Sequence, residues 1–191
     1  MPDRESRLSA LLLCCLMGGC ACQTPEIAAP PSAAPASAAR QALSTCYNLV
    51  YGFKCVPPRG FTVTGEWSGP GRIMTLMRRS RTREEGDTLT IRAHALRSDP
   101  LKWLVKERVH GPFRRAAGVR DLRMSEASIG GRTGYEVSFE RQFANGSYLQ
   151  RFFAFEQDRN AFIVEHSVPA SRRNKSRGAL DIFVGSMSFQ Q

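Results

Sequence analysis

The feature that most constrains the fold is Asn145-Gly146, which separates two stretches of alternating apolar and polar residues. Asn-Gly is the preferred sequence of a two-residue β-hairpin turn, because both residues adopt positive φ at little cost. With these two residues in the turn, we expect Phe143 to face Tyr148 and Glu140 to lie across from Arg151. The chain is therefore predicted to contain a long antiparallel hairpin.

The remaining elements follow from periodicity. Residues 88–96 alternate as one strand, with Thr90, Arg92 and His94 on its polar face. Asp99-Pro100 is typical of a helix start, and Gly111-Pro112 of its end. Further strands are predicted at 47–50, 53–56, 61–64, 73–77 and 161–168, and a last helix at 179–187. This order predicts an α+β fold, an antiparallel β-sheet flanked by helices.

Residues 1–19 have the features of a lipoprotein signal peptide. Arg4 and Arg7 precede an apolar stretch, Leu8 to Met17, with the length of a signal-peptide core and too short to span a membrane. Gly18-Gly19-Cys20 then resembles the lipobox of bacterial lipoproteins. That resemblance implies cleavage before Cys20 and attachment of lipid, including palmitate, to this residue. A plain secretory signal with incidental cysteines is the alternative.

Residues 20–45 are predicted to form a flexible tether between lipid and domain. They are rich in Ala, Pro and Ser, and they hold little to bury. In the usual sorting pattern of lipoproteins, Ala21 in place of Asp after the lipidated cysteine favours the outer over the inner membrane. A single domain, residues 46–191, is expected to follow in the periplasm.

The whole chain has 27 basic and 17 acidic residues, and the segments before the domain carry no net charge, so the net charge of +10 belongs to this domain. No acidic residue lies between Glu165 and Asp181. The basic residues of this segment are the best candidate for a contact with an anionic surface, and they are Arg172, Arg173, Lys175 and Arg177. Contact with anionic lipid headgroups and a solvated basic face are both open interpretations. Nucleic acid is not expected as a partner, because the chain is exported and shows no base-stacking motif.

Cys46 and Cys55 flank eight residues that can bend into a hairpin. An exported domain meets oxidising conditions, so a disulfide between them is one possibility. Such a bond closes a loop of roughly 10 residues and contributes about 2.5–3 kcal/mol in the chain-entropy model. The alternative is a pair of small buried thiols.

The sequence offers no constellation of catalytic residues. It lacks a phosphate-binding loop, a nucleophile elbow and a His-Glu-x-x-His helix. On a strand, His166 points away from Glu165 and Ser167, so these three cannot form a triad. His94 and His110 lie apart from it in sequence, and we therefore predict no metal, no cofactor and no enzymatic activity. No small-molecule substrate is inferred either.

Three short motifs resemble the PsbP-like superfamily, which includes DcrB-like domains. Tyr51-Gly52-Phe53 leads into Pro57-Pro58-Arg59-Gly60-Phe61, Ile129-Gly130-Gly131 precedes the long hairpin, and Ser186-Met187-Ser188-Phe189 ends the domain. The resemblance covers residues 46–191. It implies an αβα sandwich and a role in binding or assembly rather than catalysis.

Together these features predict a membrane-anchored envelope lipoprotein that binds a protein partner without catalysis. The alternative is a PsbP-type assembly or stabilising factor of a photosynthetic or redox membrane complex. An envelope enzyme is the third reading.

Overall fold

The computed structural model describes residues 45–66, 71–78, 86–176 and 178–190. The predicted signal peptide, Cys20 and nearly all of the tether therefore lie outside the described residues. The described part is an α+β domain made mainly of antiparallel sheet. Its strands are β1 Cys46–Asn48, β2 Phe53–Cys55, β3 Thr62–Glu66, β4 Gly71–Arg78, β5 Asp87–Ala95, β6 Val119–Ile129, β7 Arg132–Phe143, β8 Gly146–Gln157, β9 Asn160–Pro169 and β10 Ser188–Phe189. Its α-helices are α1 Leu101–Val105, α2 Gly111–Arg114 and α3 Ala179–Ser186.

Seven strands form one antiparallel sheet in the order β3-β4-β5-β9-β8-β7-β6, and β1, β2 and β10 form a small second sheet. β8 and β9 lie near the middle because their side chains are apolar on both faces. Phe152 and Phe153, adjacent in β8, are both buried and belong to different hydrophobic clusters. The large sheet consequently has two core-forming faces.

Each face of the large sheet is covered by different elements. On one face, α3 and the small sheet contribute Phe53, Cys55, Leu180, Phe183 and Val184 to a cluster with the sheet residues Leu89, Ile91, Phe153, Phe155, Phe162 and Val164. On the other face, the helical run after β5 contributes Leu104, Val105 and Val109, which pack with Val137, Phe139, Phe152, Ala154 and Ile163. We call this second face the helix-side face.

The helical run continues past the Gly111-Pro112 stop that the sequence predicts. A π-helical turn, Lys106–His110, joins α1 to α2, and the run ends at Arg114. Proline inside an α-helix lacks a donor and clashes with the carbonyl four residues before it. The wider π turn relieves this conflict, since the Gly111 N–H bonds the carbonyl of Lys106, five residues back. The sequence therefore predicted the helix but placed its end too early.

The long hairpin exists, but its predicted register is wrong by two residues. Phe143 pairs with Gly146, so Ala144-Asn145 forms the turn. Arg151 consequently lies opposite Ser138 and its Nε donates to Glu136, 2.6 Å away, instead of pairing with Glu140. A shift of two keeps every side chain on its predicted face, because the strand repeat is two residues.

The Ile129-Gly130-Gly131 turn contacts the backbone of α3. A Cβ on Gly130 would stand 2.2 Å from the Gly185 nitrogen and 2.8 Å from the Asp181 carbonyl oxygen. Gly130 also has φ +58, where L side chains are strained. Only glycine at this position allows the β6–β7 turn and α3 to approach so closely.

We expect Gly130→Ala to lower the free energy of unfolding by about 3 kcal/mol, through overpacking and a strained φ together. Gly131→Ala is the matched control, since Gly131 has φ +79 but open space around its Cβ position. That variant should lose only about 1–2 kcal/mol. Urea unfolding measures both values, and equal losses would contradict a backbone contact at Gly130.

Candidate functional site

A cavity of about 410 Å³ opens between the helical run and the helix-side face of the large sheet. Its apolar lining comes from Val109, Pro112 and Phe113 on the helical run and from Phe152 and Ile163 on the sheet. Phe113 packs on Phe152 with ring centroids 5.4 Å apart. We call this space the helix-side cavity.

Three arginines and one carboxylate line the helix-side cavity. Arg92 donates to Glu165 across the β5–β9 pair, with 3.2 Å between Nη2 and Oε2. Arg141 on β7 stacks on Phe143, its guanidinium carbon 4.7 Å from the ring centroid. Arg108 on the π turn is exposed, and neither it nor Arg141 has a carboxylate partner within the described residues. The lining therefore carries two positive charges in excess.

Gln150 on β8 adds an unpaired amide oxygen to this cavity. The residue is only 7% exposed, and its Oε1 has no hydrogen-bond partner among the described residues. Buried polar atoms of native proteins are nearly always hydrogen-bonded, because leaving one unpaired costs about 1–3 kcal/mol. Gln150 Oε1 is thus available to a hydrogen-bond donor inside the cavity.

His94 lies on the wall of the same cavity. Burial, together with the positive charges of Arg108 and Arg92, lowers the pKa of its imidazole below the ordinary value of 6.5. The imidazole is therefore neutral near pH 7 and can donate one hydrogen bond and accept another. An anion placed beside these groups would favour the protonated imidazole and raise this pKa.

The sequence places Arg92 and His94 on one face of a strand, which the structure confirms. It treats that face as solvated, whereas the helical run lies over part of it. The usable signal is that the predicted helix follows this strand directly and must pack on one of its faces. Arg108 and Arg141 come from other elements, and no local spacing in the sequence joins them to it.

The opposite face of the sheet holds a separate polar cluster around Asp87. This carboxylate is fully buried, and it accepts hydrogen bonds from Arg78 and Ser176. Arg172, one of the residues predicted to face an anionic surface, lies 3.6 Å from it. Arg173 is exposed. The side chain of Lys175, and all of Arg177, lie outside the described part, so the predicted contact surface is seen only in part.

His166 lies beside this cluster and points away from Glu165, as predicted. Glu165 instead pairs with Arg92 on the helix-side face. His166 is 2% exposed, and neither ring nitrogen has a partner among the described residues. Burial lowers its pKa to about 4, against the opposing effect of Asp87. Within the described residues, no group of three His, Cys, Asp or Glu side chains could hold a metal ion.

The His166 pKa predicts acid destabilisation. The unfolded chain takes up a proton near pH 6.5 that the folded chain takes up only near pH 4. Stability should therefore fall as pH decreases from 6.5 towards 4, by about 3 kcal/mol in total from this residue. Urea unfolding at several pH values measures the slope, and His166→Gln should flatten it. An unchanged slope in that variant would exclude His166 as its source.

Cys46 and Cys55 are directly opposite each other in the β1–β2 pair, with their Cα atoms 5.0 Å apart. This separation lies in the range of disulfides, and the structure has a disulfide between them. The bond closes the first hairpin of the domain at its base. Both cysteines are buried in the hydrophobic cluster that α3 and the small sheet form with the large sheet.

No helix of the described residues has the length and apolar character needed to cross a membrane.

Comparison with known proteins identifies relatives by fold only. No protein-family model matches the chain, and no curated protein matches it. Among solved structures, cyanobacterial PsbP (CyanoP) from Synechocystis sp. PCC 6803 aligns with a TM-score of 0.56 and 12% identity, over 84% of this chain and 100% of that one. LpqN of Mycobacterium tuberculosis, described as involved in cell envelope biogenesis, aligns with a TM-score of 0.56 and 9% identity, over 78% and 90%.

A third structure, PA94 from Pseudomonas aeruginosa, a protein of unknown function, aligns with a TM-score of 0.51 and 12% identity, over 69% of this chain and 98% of that one. Identities this low speak for the shared fold alone. The resemblance predicted from Ile129-Gly130-Gly131 and the order of elements is confirmed at that level. The described domain has the fold of the PsbP-like and DcrB-like proteins.

Proposed function

We propose that this chain is a lipid-anchored protein of the bacterial envelope whose domain binds a protein partner there and does not catalyse a reaction. The observation that carries this proposal is the PsbP-like fold, which the domain shares with an envelope-biogenesis protein. The lipobox-like Gly18-Gly19-Cys20 and the tether in the sequence support the anchor. Ala21 favours the outer membrane.

The finer architecture belongs to the same proposal. We assign the domain to the αβα sandwiches, with the helical run on one face of the large sheet and α3 on the other. Both of these segments bury apolar side chains against the sheet, which supports the assignment. The small sheet lies with α3 on the face opposite the helix-side face.

The first hairpin is the part of the domain nearest in sequence to the tether, and it carries exposed apolar residues. Leu49 is 80% exposed and Val50 is 60% exposed. Both lie in the turn between β1 and β2, whose strands the Cys46–Cys55 disulfide joins. A lipid anchor upstream of this hairpin would keep these side chains within reach of the membrane surface.

An assembly or stabilising factor for a photosynthetic or redox membrane complex is the second candidate function. It is favoured by the alignment with cyanobacterial PsbP, which covers all of that protein. Copurification decides between the two candidates: capture of the anchored protein from its own membrane should bring down pigment- or cofactor-bearing subunits only in the second case.

The anchor is tested by Cys20→Ala. We expect this variant to leave the membrane fraction, because it can carry no acyl chain at residue 20. Two or more acyl chains would anchor the protein stably, at about 0.8 kcal/mol per buried CH₂ group. Cys22→Ala is the matched control and should stay in the membrane. Fractionation and the mass of the mature N-terminus provide the measurement. A Cys20→Ala protein that still partitions wholly with the membrane would refute the lipid anchor.

The predicted anionic-surface contact, which comprises Arg172, Arg173, Lys175 and Arg177, is tested in the unlipidated Cys20→Ala chain. Changing Arg173, Lys175 and Arg177 to Gln should weaken binding to anionic vesicles, at about 1 kcal/mol per residue close to the surface. Arg172 stays unchanged because it lies against Asp87. The charge-matched control changes Arg114, Arg115 and Arg120, which are exposed elsewhere. Equal vesicle binding by both triple variants would identify the predicted contact as a solvated face.

A further inference from the structure

We propose that the helix-side cavity is a binding site for a small organic anion, a carboxylate or a phosphate ester that carries an apolar group. This inference goes beyond the envelope role, which concerns where the domain lies and which protein it meets. It concerns a ligand held inside the domain, between the helical run and the sheet.

The charge of the lining selects an anion. Arg92, Arg108 and Arg141 converge from β5, the π turn and β7, while Glu165 is the single acid of the lining. Glu165 engages Arg92, and a guanidinium has five N–H donors, so Arg92 keeps donors for a second acceptor. Arg108 and Arg141 have no carboxylate partner in the described part of the chain. An anion would supply the missing acceptor, and carboxylates and phosphates match the guanidinium fork best.

The apolar lining of the cavity favours an anion that also carries an apolar group. The lining is formed by five residues from the helical run and the sheet, Val109, Pro112, Phe113, Phe152 and Ile163. A volume of about 410 Å³ has the size of a small-ligand pocket, and apolar walls with a few polar groups are typical of such pockets. A bare inorganic ion would leave this apolar surface wet and gain nothing from it.

Two further features point to a ligand rather than to a solvated hollow. The buried Gln150 Oε1 lacks a partner among the described residues, and it lies where a hydroxyl or N–H group of a ligand could donate to it. The wall opposite the sheet contains the π turn Lys106–His110, and π turns occur frequently at functional sites. The turn places Arg108 and Val109 on the cavity side by side, one charged and one apolar.

The test uses the full chain in an uncharged detergent and four chemically matched probes. Phenyl phosphate and phenylacetate carry both an anion and a ring, phenol carries the ring alone, and inorganic phosphate the charge alone. Calorimetric titration should show saturable binding of at least one of the first two, about tenfold tighter than either control probe. Comparing phenyl phosphate with phenylacetate separates a phosphate ester from a carboxylate as the preferred class.

Variants then locate the binding. Arg108→Gln and Arg141→Gln should each weaken the better probe about tenfold, as expected for loss of one charge-assisted contact. Arg59→Gln is the matched control, because Arg59 is exposed and does not line the cavity. Binding that no cavity variant weakens, or that Arg59→Gln weakens equally, overturns the assignment. So does the absence of saturable binding of both ring-bearing anions.

Gln150→Leu separates a ligand role from a structural one. Replacing this amide, whose buried Oε1 is unpaired, by an apolar side chain should raise the free energy of unfolding. It should also weaken the binding of singly protonated phenyl phosphate, whose P–OH can donate to Oε1. A variant that loses stability and binds the probe normally would assign the amide to the fold and contradict its role here. The membrane partition of the Cys20→Ala chain does not depend on the result of these probe titrations. Failure of the anion site is therefore distinguishable from failure of the proposed envelope role.

His94 provides a spectroscopic readout at the site. It lines the cavity with Arg92, Arg108 and Glu165, and it also lines an adjoining hollow with Arg97 and Asp99. Benzenesulfonate, whose charge does not change with pH, should raise the His94 pKa, seen by NMR of ¹³C-labelled histidine. By linkage its affinity should increase as pH falls through that pKa. A His94 titration that is unchanged by saturating probe places the anion elsewhere and overturns the site.

Discussion

The structure depends on the burial of β8 and β9 from both sides. Phe152 and Phe153 are neighbours in the chain, and each is buried in a different cluster on a different face. A sheet with two apolar faces is stable in water only when both are covered. The helical run after β5 covers one face, and α3 with the small sheet covers the other. The helix-side cavity lies on the face that the helical run covers, and the Asp87 cluster lies on the opposite face.

Alternation of residues predicted most of the strands, but it did not predict β6, in which Ile129 alone is buried and charged residues interrupt the pattern. The hairpin register was a different matter, since it depends on which residues form the turn. Asn145-Gly146 favours positive φ at both positions, yet Asn145 has no positive φ and the turn is Ala144-Asn145. The neighbouring turn, Asp158-Arg159, has positive φ at both residues without a glycine. Pairing across the whole length of three strands outweighs the preference of one dipeptide.

The candidate site was beyond local sequence reasoning for a related reason. The pattern of residues 88–96 shows that Arg92 and His94 share a face, but it does not show which element covers that face. Pro112 indicated the end of the helix, whereas the helical run continues through the π turn Lys106–His110 and α2 beside the cavity. For His166 the direction of the side chain followed from strand geometry, whereas its burial did not, because the residues beside it include Asn174 and Ser176 from a later segment.

The pairing of arginines distinguishes the two sides of the sheet, whereas both sides hold buried polar atoms without a hydrogen-bond partner among the described residues, on His166 and on Gln150. On the Asp87 side, Arg78 and Arg172 both approach one buried carboxylate. On the helix-side face, a single carboxylate meets three arginines. Departures from the rules that hold elsewhere in a fold concentrate at functional sites. If every arginine faced water, the net charge of +10 would require no explanation beyond a solvated basic surface. Arg92 and Arg141 are half-buried beside the apolar lining, and an anion bound among the three arginines would accept charge-assisted hydrogen bonds from them.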